Sequence, residues 1–157
     1  TICMLIYIWL RFKNIQFALA AVIALVHDVL IVVGFYSLSR LTVGTTFIAC
    51  LLTIVGYSIN ATIVIFDRIR ENKAVMKRDE TMIGLIDRSI TETLTRSIYT
   101  SLTTFVAVFM IFVMGVSSIK EFTTPLMVGI VAGAYSSVFV TGALWYVLKG
   151  KQYDKEK

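Results

Sequence analysis

The chain has 157 residues, of which 57% are hydrophobic and 16% charged, with a mean hydropathy of +0.82 and a net charge of +5. A soluble domain carries roughly 45–50% apolar and roughly 25% charged residues, so this composition excludes a disordered chain, a basic nucleic-acid-binding domain and a disulfide-stapled secreted module. So little charge cannot keep so much apolar side chain in water, and the solvent that suits it is a lipid bilayer. The fold class that follows is all-α, a polytopic bundle of transmembrane helices.

Residues 1–10 (TICMLIYIWL) are apolar but too short to span, and they lack the charged start of a signal peptide. They read as the cut end of a longer helix, which implies a fragment whose upstream part is missing. Four long apolar runs follow at 15–38, 44–66, 94–116 and 123–148, each of 23 to 26 residues. About 20 helical residues cross a hydrocarbon core of about 30 Å. Backbone groups in lipid must pair within their own segment, so each run predicts a helix. No internal repeat or low-complexity segment divides the chain, and 1–157 is one domain.

The connections carry the topology. Of the 15 basic residues, 12 fall in alternate connections: Arg11 and Lys13, then Arg68, Arg70, Lys73, Lys77, Arg78 and Arg88, then Lys149, Lys151, Lys155 and Lys157. Arg40 and Lys120 stand alone on the other side. By the positive-inside rule the first set, with the C-terminus, is cytoplasmic. The short connections 39–43 and 117–122 then face outward. Between the second and third spans, Met82, Ile83, Ile86, Ile90 and Leu94 recur at helical spacing, with Asp79, Glu80, Asp87, Arg88 and Glu92 opposite. This predicts an amphipathic helix over 79–93 lying on the cytoplasmic surface and running into the next span. Cys3 and Cys50 both lie in apolar stretches and read as small hydrophobes, with no disulfide and no metal site.

Polar groups inside a span are costly, so they pair or line a pathway. His27 and Asp28 sit at the middle of the first full span. They read either as a protonation site, since histidine titrates near neutrality and a desolvated carboxyl rises towards it, or as a hydrogen-bonded pair that locks two helices. In the second span Tyr57, Asn60, Ala61 and Val64 share one face. Asn60 needs a partner there, as interhelical glue or as part of a transport path. The run 67–72 (DRIREN) reads as a solvated helix end. In the third span Arg96 precedes a hydroxyl stripe of Thr93, Ser97, Thr100 and Thr104, the layout of a wet seam or proton path. Hydroxyls of this kind also bond their own helix carbonyls, and an arginine near a helix end also snorkels. The last span carries Gly129, Gly133, Ser136 and Ser137 on one stripe. Its G-x-x-x-G pair signals close packing, with Ala61 a further small packing position. Pro125 falls in the first turn of the predicted helix, where its missing N–H costs little.

Four motifs in order, FALAAVIALVHDVLI (17–31), GYSINATIVIFDRIREN (56–72), TLTRSIYTSLTT (93–104) and VGIVAGAYSS (128–137), resemble the SecD/SecF family of protein-export membrane proteins, on its SecF side. The resemblance implies half of a resistance–nodulation–division membrane domain, whose first helix and large extracytoplasmic domain would lie upstream. It implies a multi-pass protein of a bacterial or archaeal cytoplasmic membrane that is not an enzyme and needs no cofactor. Such a protein works with a SecD-like subunit and the SecYEG channel to drive late, ATP-independent movement of an unfolded polypeptide at the expense of the proton gradient. It also implies that protons pass between the SecD and SecF halves along charged residues. Arg96 matches the family's arginine in its R-[ST]-x-x-T-S context. The acidic residue that often follows the family's S-[IVL]-N triplet is here Ala61. The resemblance thus places the proton burden on Asp28 or on a carboxylate of the partner, with His27, Asn60, Thr100 and Thr104 as further pathway candidates. Half of another exporter of the superfamily, moving lipids or small molecules, and a non-conducting scaffold are the alternatives.

Overall fold

A computed structural model describes residues 15–76 and 80–147, with side chains from residue 18 onward in the first stretch. The expected helix at 1–10, Cys3, the start of the amphipathic segment at Asp79 and the basic tail lie outside these residues. Helix α1 spans Ile15–Ser39, α2 Thr45–Ala74, α3 Met82–Met114 and α4 Ser117–Tyr135. A π-turn, Ser136–Val140, then leads into a short α5, Thr141–Trp145. Four helical stretches are long and apolar enough to cross a membrane, the last running Ser117–Trp145 through the π-turn. The molecule is an all-helical membrane bundle.

The helices outrun the apolar stretches. At about 1.5 Å per residue, the 30 residues of α2 and 33 of α3 extend about 45–50 Å, well beyond a hydrocarbon core of about 30 Å. The segment expected as a surface helix running into the next span forms, from Met82 on, the first third of α3 and continues without a break. Thr81 caps it, its hydroxyl accepting from the Gly84 N–H at 3.2 Å, so one of the orphan donors of the first turn is satisfied. Opposite it, the DRIREN end of α2 is helical as far as Ala74. The two extensions are tied by charge. Arg68 donates to Glu92 at 2.7 Å and to Glu71 at 2.8 Å, and buried Asn72 donates to Ser89 at 2.9 Å and Glu92 at 2.8 Å. This is a braced pair of helix ends beyond the apolar stretches.

The other end is tight. Arg40 stops α1 in a left-handed conformation, φ 51°, and the Leu41 N–H returns to the Tyr36 carbonyl at 3.3 Å. This is an arrangement that glycine usually takes at a helix end. The connection expected over 117–122 is helical instead, and α3 and α4 are joined by Gly115 and Val116 alone. A Cβ on Gly115 would meet the Ile111 carbonyl oxygen at 2.6 Å, so only glycine lets the chain turn back there. Because α4 starts six residues before the predicted boundary, Pro125 lies buried inside it and not in its first turn. The Glu121 carbonyl therefore loses its usual N–H partner.

Packing joins all four long helices, with the most extensive contact between α3 and α4. One apolar cluster gathers Ala18, Ala21, Leu25, Ile65, Phe66, Ile69, Met82, Leu85 and Trp145. A second gathers Val32, Tyr36, Cys50, Ile54, Val108, Leu126 and Ile130. Between them the buried residues are polar: Asp28 on α1, Ser58 on α2, Ser136 and Ser137 on the π-turn. The two glycines of the α4 stripe are not equivalent. A Cβ on Gly129 would stand 2.3 Å from Cδ1 of the fully buried Ile54, whereas one on Gly133 would meet nothing nearer than the Ser58 Cβ at 3.5 Å. Gly129→Ala is therefore expected to destabilise the bundle by about 1–3 kcal/mol through overpacking, and Gly133→Ala to be near neutral. Unfolding of the detergent-solubilised variants measures both, and equal losses would mean the stripe packs as one unit.

Candidate functional site

Two polar loci lie at membrane depth, and adjacent residues of α2 link them. The inner locus is built on Asp28, which is fully buried. Ser58 of α2 donates to its Oδ2 at 2.5 Å and Ser136 of the π-turn donates to the same oxygen at 2.8 Å. His27 Nδ1 lies 3.1 Å from Oδ1, while its ring is 38% exposed. Three helices thus converge on one carboxyl. The short Ser58 contact has the length of a charge-assisted O–H···O bond. Burying an ionised carboxylate in apolar surroundings is costly, and these donors offset part of that cost.

Ser136 continues α4, its N–H bonded to the Ala132 carbonyl, and opens the π-turn. The Thr141 N–H bonds the Ser136 carbonyl, and the Thr141 hydroxyl donates to the same oxygen at 3.2 Å. One extra residue is thereby accommodated between α4 and α5. Such turns are rare and concentrate at functional sites. Gly133, one turn before, brings α4 within ordinary contact of Tyr57 and Ser58. Ser137 is buried and donates to its own helix, at the Ala134 carbonyl, 3.0 Å away.

The outer locus is a groove of about 50 Å³ between α2 and α3, lined by Tyr57, Asn60, Ala61, Val64, Arg96, Ser97, Thr100 and Ser101. The Tyr57 hydroxyl donates to Ser101 at 2.8 Å and closes its inner end. Asn60, Arg96 and Thr100 are exposed on the flank of the bundle. Asn60, expected to face another helix, lines the groove between α2 and α3 and is exposed at its edge. Arg96 makes no ion pair among the described residues. The hydroxyl stripe is largely turned back on its own helix: Thr93 donates to Ser89, Thr100 to the Arg96 carbonyl at 2.7 Å and Thr104 to the Thr100 carbonyl at 2.8 Å. These bonds satisfy the hydroxyls locally and leave the guanidinium as the strongest unsatisfied group on the flank.

The structure therefore separates the site residues read from the sequence. Asp28 and His27 belong to the inner locus, Asn60, Ala61, Arg96 and Thr100 to the outer one, and Gly129 and Gly133 to the packing of α4 on α2. In the sequence Ser136 falls on the small-residue stripe of the last span and Ser58 within the GYSINATIVIFDRIREN motif, and neither is assigned there to Asp28. The signal available was their depth, since each lies at mid-span on a helix antiparallel to α1.

Comparison with known proteins agrees with this architecture. The family model described as protein export membrane protein SecD/SecF, C-terminal, matches residues 1–151. The chain is 47% identical over 149 residues to the protein translocase subunit SecF of Sebaldella termitidis, covering 95% of this chain and 48% of that one. It is 40% identical over 158 residues to the protein translocase subunit SecDF of Bacillus subtilis, covering 99% of this chain and 21% of that one. Among solved structures, SecDF of Thermus thermophilus, described as a translocon-associated membrane protein, matches with a TM-score of 0.87 at 44% identity, over 92% of this chain and 20% of that one. SecDF in its super-membrane-facing form matches with a TM-score of 0.90 at 42% identity, over 98% of this chain and 21% of that one. The chain spans about half the length of the curated SecF relatives it matches. It belongs to the SecD/SecF family of protein export membrane proteins and carries that family's C-terminal membrane region.

Proposed function

We propose that the chain is the membrane part of an accessory subunit of the Sec protein-export machinery. It pairs with a SecD-like half and uses the proton gradient to drive an unfolded polypeptide through the SecYEG channel. The observation that carries this reading is the outer groove. Asn60, Arg96 and Thr100 are exposed at membrane depth beside Ala61, and acyl chains offer none of them a hydrogen bond or a counter-charge. A second helical half laid on α2 and α3 does. Because Ala61 occupies the position from which this family often supplies its own acid, the carboxylate that answers Arg96 comes from the partner. The braced end of α2 and α3 carries Arg68, Arg70, Lys73 and Arg88 and lies in the cytoplasm, with the C-terminal tail on the same side.

The test is proximity. Cysteine at Asn60 or Thr100, in the full-length protein with its partner, is expected to form a disulfide with a cysteine on a partner helix, while cysteine at Gly34 on α1 does not. Cross-links from Gly34 alone would overturn the pairing. A non-conducting scaffold is the second reading. Ala61 and the self-satisfied hydroxyl stripe favour it, and it predicts the same cross-links with no dependence of export on Arg96.

A further inference from the structure

We propose that Asp28 is a proton-binding site internal to the chain, set apart from the partner-facing groove, and that the Ser136 π-turn reads whether it is occupied. The proposal deepens the proton-coupled reading above and rests on it for its use, though not for its chemistry.

The carboxyl is answered by dipoles and one imidazole. On its own helix the neighbouring titratable group is His27. On α2 it is Tyr57, whose hydroxyl is committed to Ser101 of α3. On the last helix it is Tyr135, next to Ser136 but 55% exposed. Arg96 of α3 lies beyond Tyr57, on the far side of α2, in the outer groove. No lysine or arginine bonds Asp28 among the described residues. A proton can therefore come and go without breaking a fixed ion pair with a lysine or arginine.

The hydroxyls make both states satisfiable, because a serine donates or accepts as its proton rotates. With Asp28 ionised, Ser58 and Ser136 both donate to Oδ2. With a proton on Oδ2, the acid donates to the Ser136 oxygen, and the Ser136 hydroxyl turns to the Gly133 carbonyl, already 3.4 Å away on its own helix. Ser58 keeps its bond to the carboxyl throughout. The half-exposed His27 provides the route: its imidazolium passes the Nδ1 proton across 3.1 Å to Oδ1 and remains neutral with its proton on Nε2. Rotation of the carboxylic acid then brings the proton to the serine side.

The change is felt in the π-turn because Ser136 opens it and holds Thr141 twice through its carbonyl. Beyond the turn, Gly142 is wedged against α3, where a Cβ would meet Ile90 at 2.8 Å and Ile86 at 3.3 Å. Protonation exchanges the charge-assisted bond from Ser136 to the carboxylate for a neutral one from the acid, which weakens the hold on Ser136 and eases the joint between α4 and α5, and α5 bears on the cytoplasmic extension of α3.

The experiment uses the full-length protein with its SecD-like partner, reconstituted in lipid, between about pH 5 and about pH 9. Infrared pH-difference spectra of the wild type are expected to contain a carboxylic-acid band that disappears in Asp28→Asn and shifts in Ser136→Ala. Hydrogen exchange of amides 136–142, corrected for the intrinsic rate, is expected to quicken roughly tenfold at the acid end, the size of exchanging one charge-assisted hydrogen bond for a neutral one. Asp28→Asn should abolish that dependence. His27→Gln should slow the approach to equilibrium and leave the end points. The proposal is overturned if Asp28→Asn keeps the band, if wild-type exchange is indifferent to pH, or if His27→Gln alone removes the dependence. Should Asp28→Asn fail to insert, the wild-type and Ser136→Ala measurements still decide. None of these readouts needs translocation, so failure of the export reading and failure of this site are separate results.

Discussion

Arg96→Leu is expected to abolish proton-dependent export while the chain still inserts and pairs. The guanidinium lies on the flank and makes no ion pair among the described residues, so the bundle does not lean on it. Its backbone carbonyl holds the Thr100 hydroxyl whatever side chain is present. Leucine is also cheaper than arginine inside a membrane by about 3–4 kcal/mol on insertion scales, so loss of function cannot be put down to failed insertion. What is lost, on the proposed reading, is the fixed positive charge that answers the partner's carboxylate. Arg96→Lys keeps the charge and loses the planar fork, and it should fall between wild type and leucine. Export into inverted membrane vesicles, with and without a proton gradient, measures the effect. Undiminished gradient-dependent export would remove Arg96 from the mechanism and leave the scaffold reading standing.

Trp145→Ala is expected to be the most damaging single change to folding. The indole is fully buried in the cluster that joins α1, the extension of α2 and the start of α3, and the Lys73 ammonium lies 5.9 Å from its ring centre. Truncation leaves a cavity where three elements meet and removes the cation–π contact, at a cost of about 3–5 kcal/mol. The alanine-rich face of α1 has no large side chain with which to fill the space. Trp145→Phe should recover more than half of the loss. Thermal unfolding of the purified protein in detergent checks this. A shift no larger than that of Gly133→Ala would mean that α5 contributes little to the fold.

The span count, the helical class and the family were legible from composition, run length and four ordered motifs, because the bilayer leaves the backbone few options. The helix ends were less so. Hydropathy stops at Phe66 and begins again at Leu94, but the helices continue through charged residues because Arg68, Asn72, Ser89 and Glu92 satisfy one another between the two helix ends. The π-turn left no mark that spacing could read, since one extra residue in a helix of small and β-branched side chains has no signature. Ser136 itself still continues α4, its N–H bonded to the Ala132 carbonyl, so periodicity gives its face; what periodicity does not give is the alignment between helices that brings it to Asp28. For Asn60 the gap is of another kind. Its polarity demanded a partner, but a single chain's sequence does not say whether the partner lies within that chain.

The apolar part of α3 has a further meaning. Over residues 97–114 only Val108 is buried, although the same helix is firmly rooted through Met82, Leu85 and Ile86. One half of the helix is thus anchored at home and the other is on loan. On the proposed pairing, its outer contacts belong to a neighbour, and selection on those positions answers to two proteins at once. A newly made copy would then be completed by assembly as much as by folding.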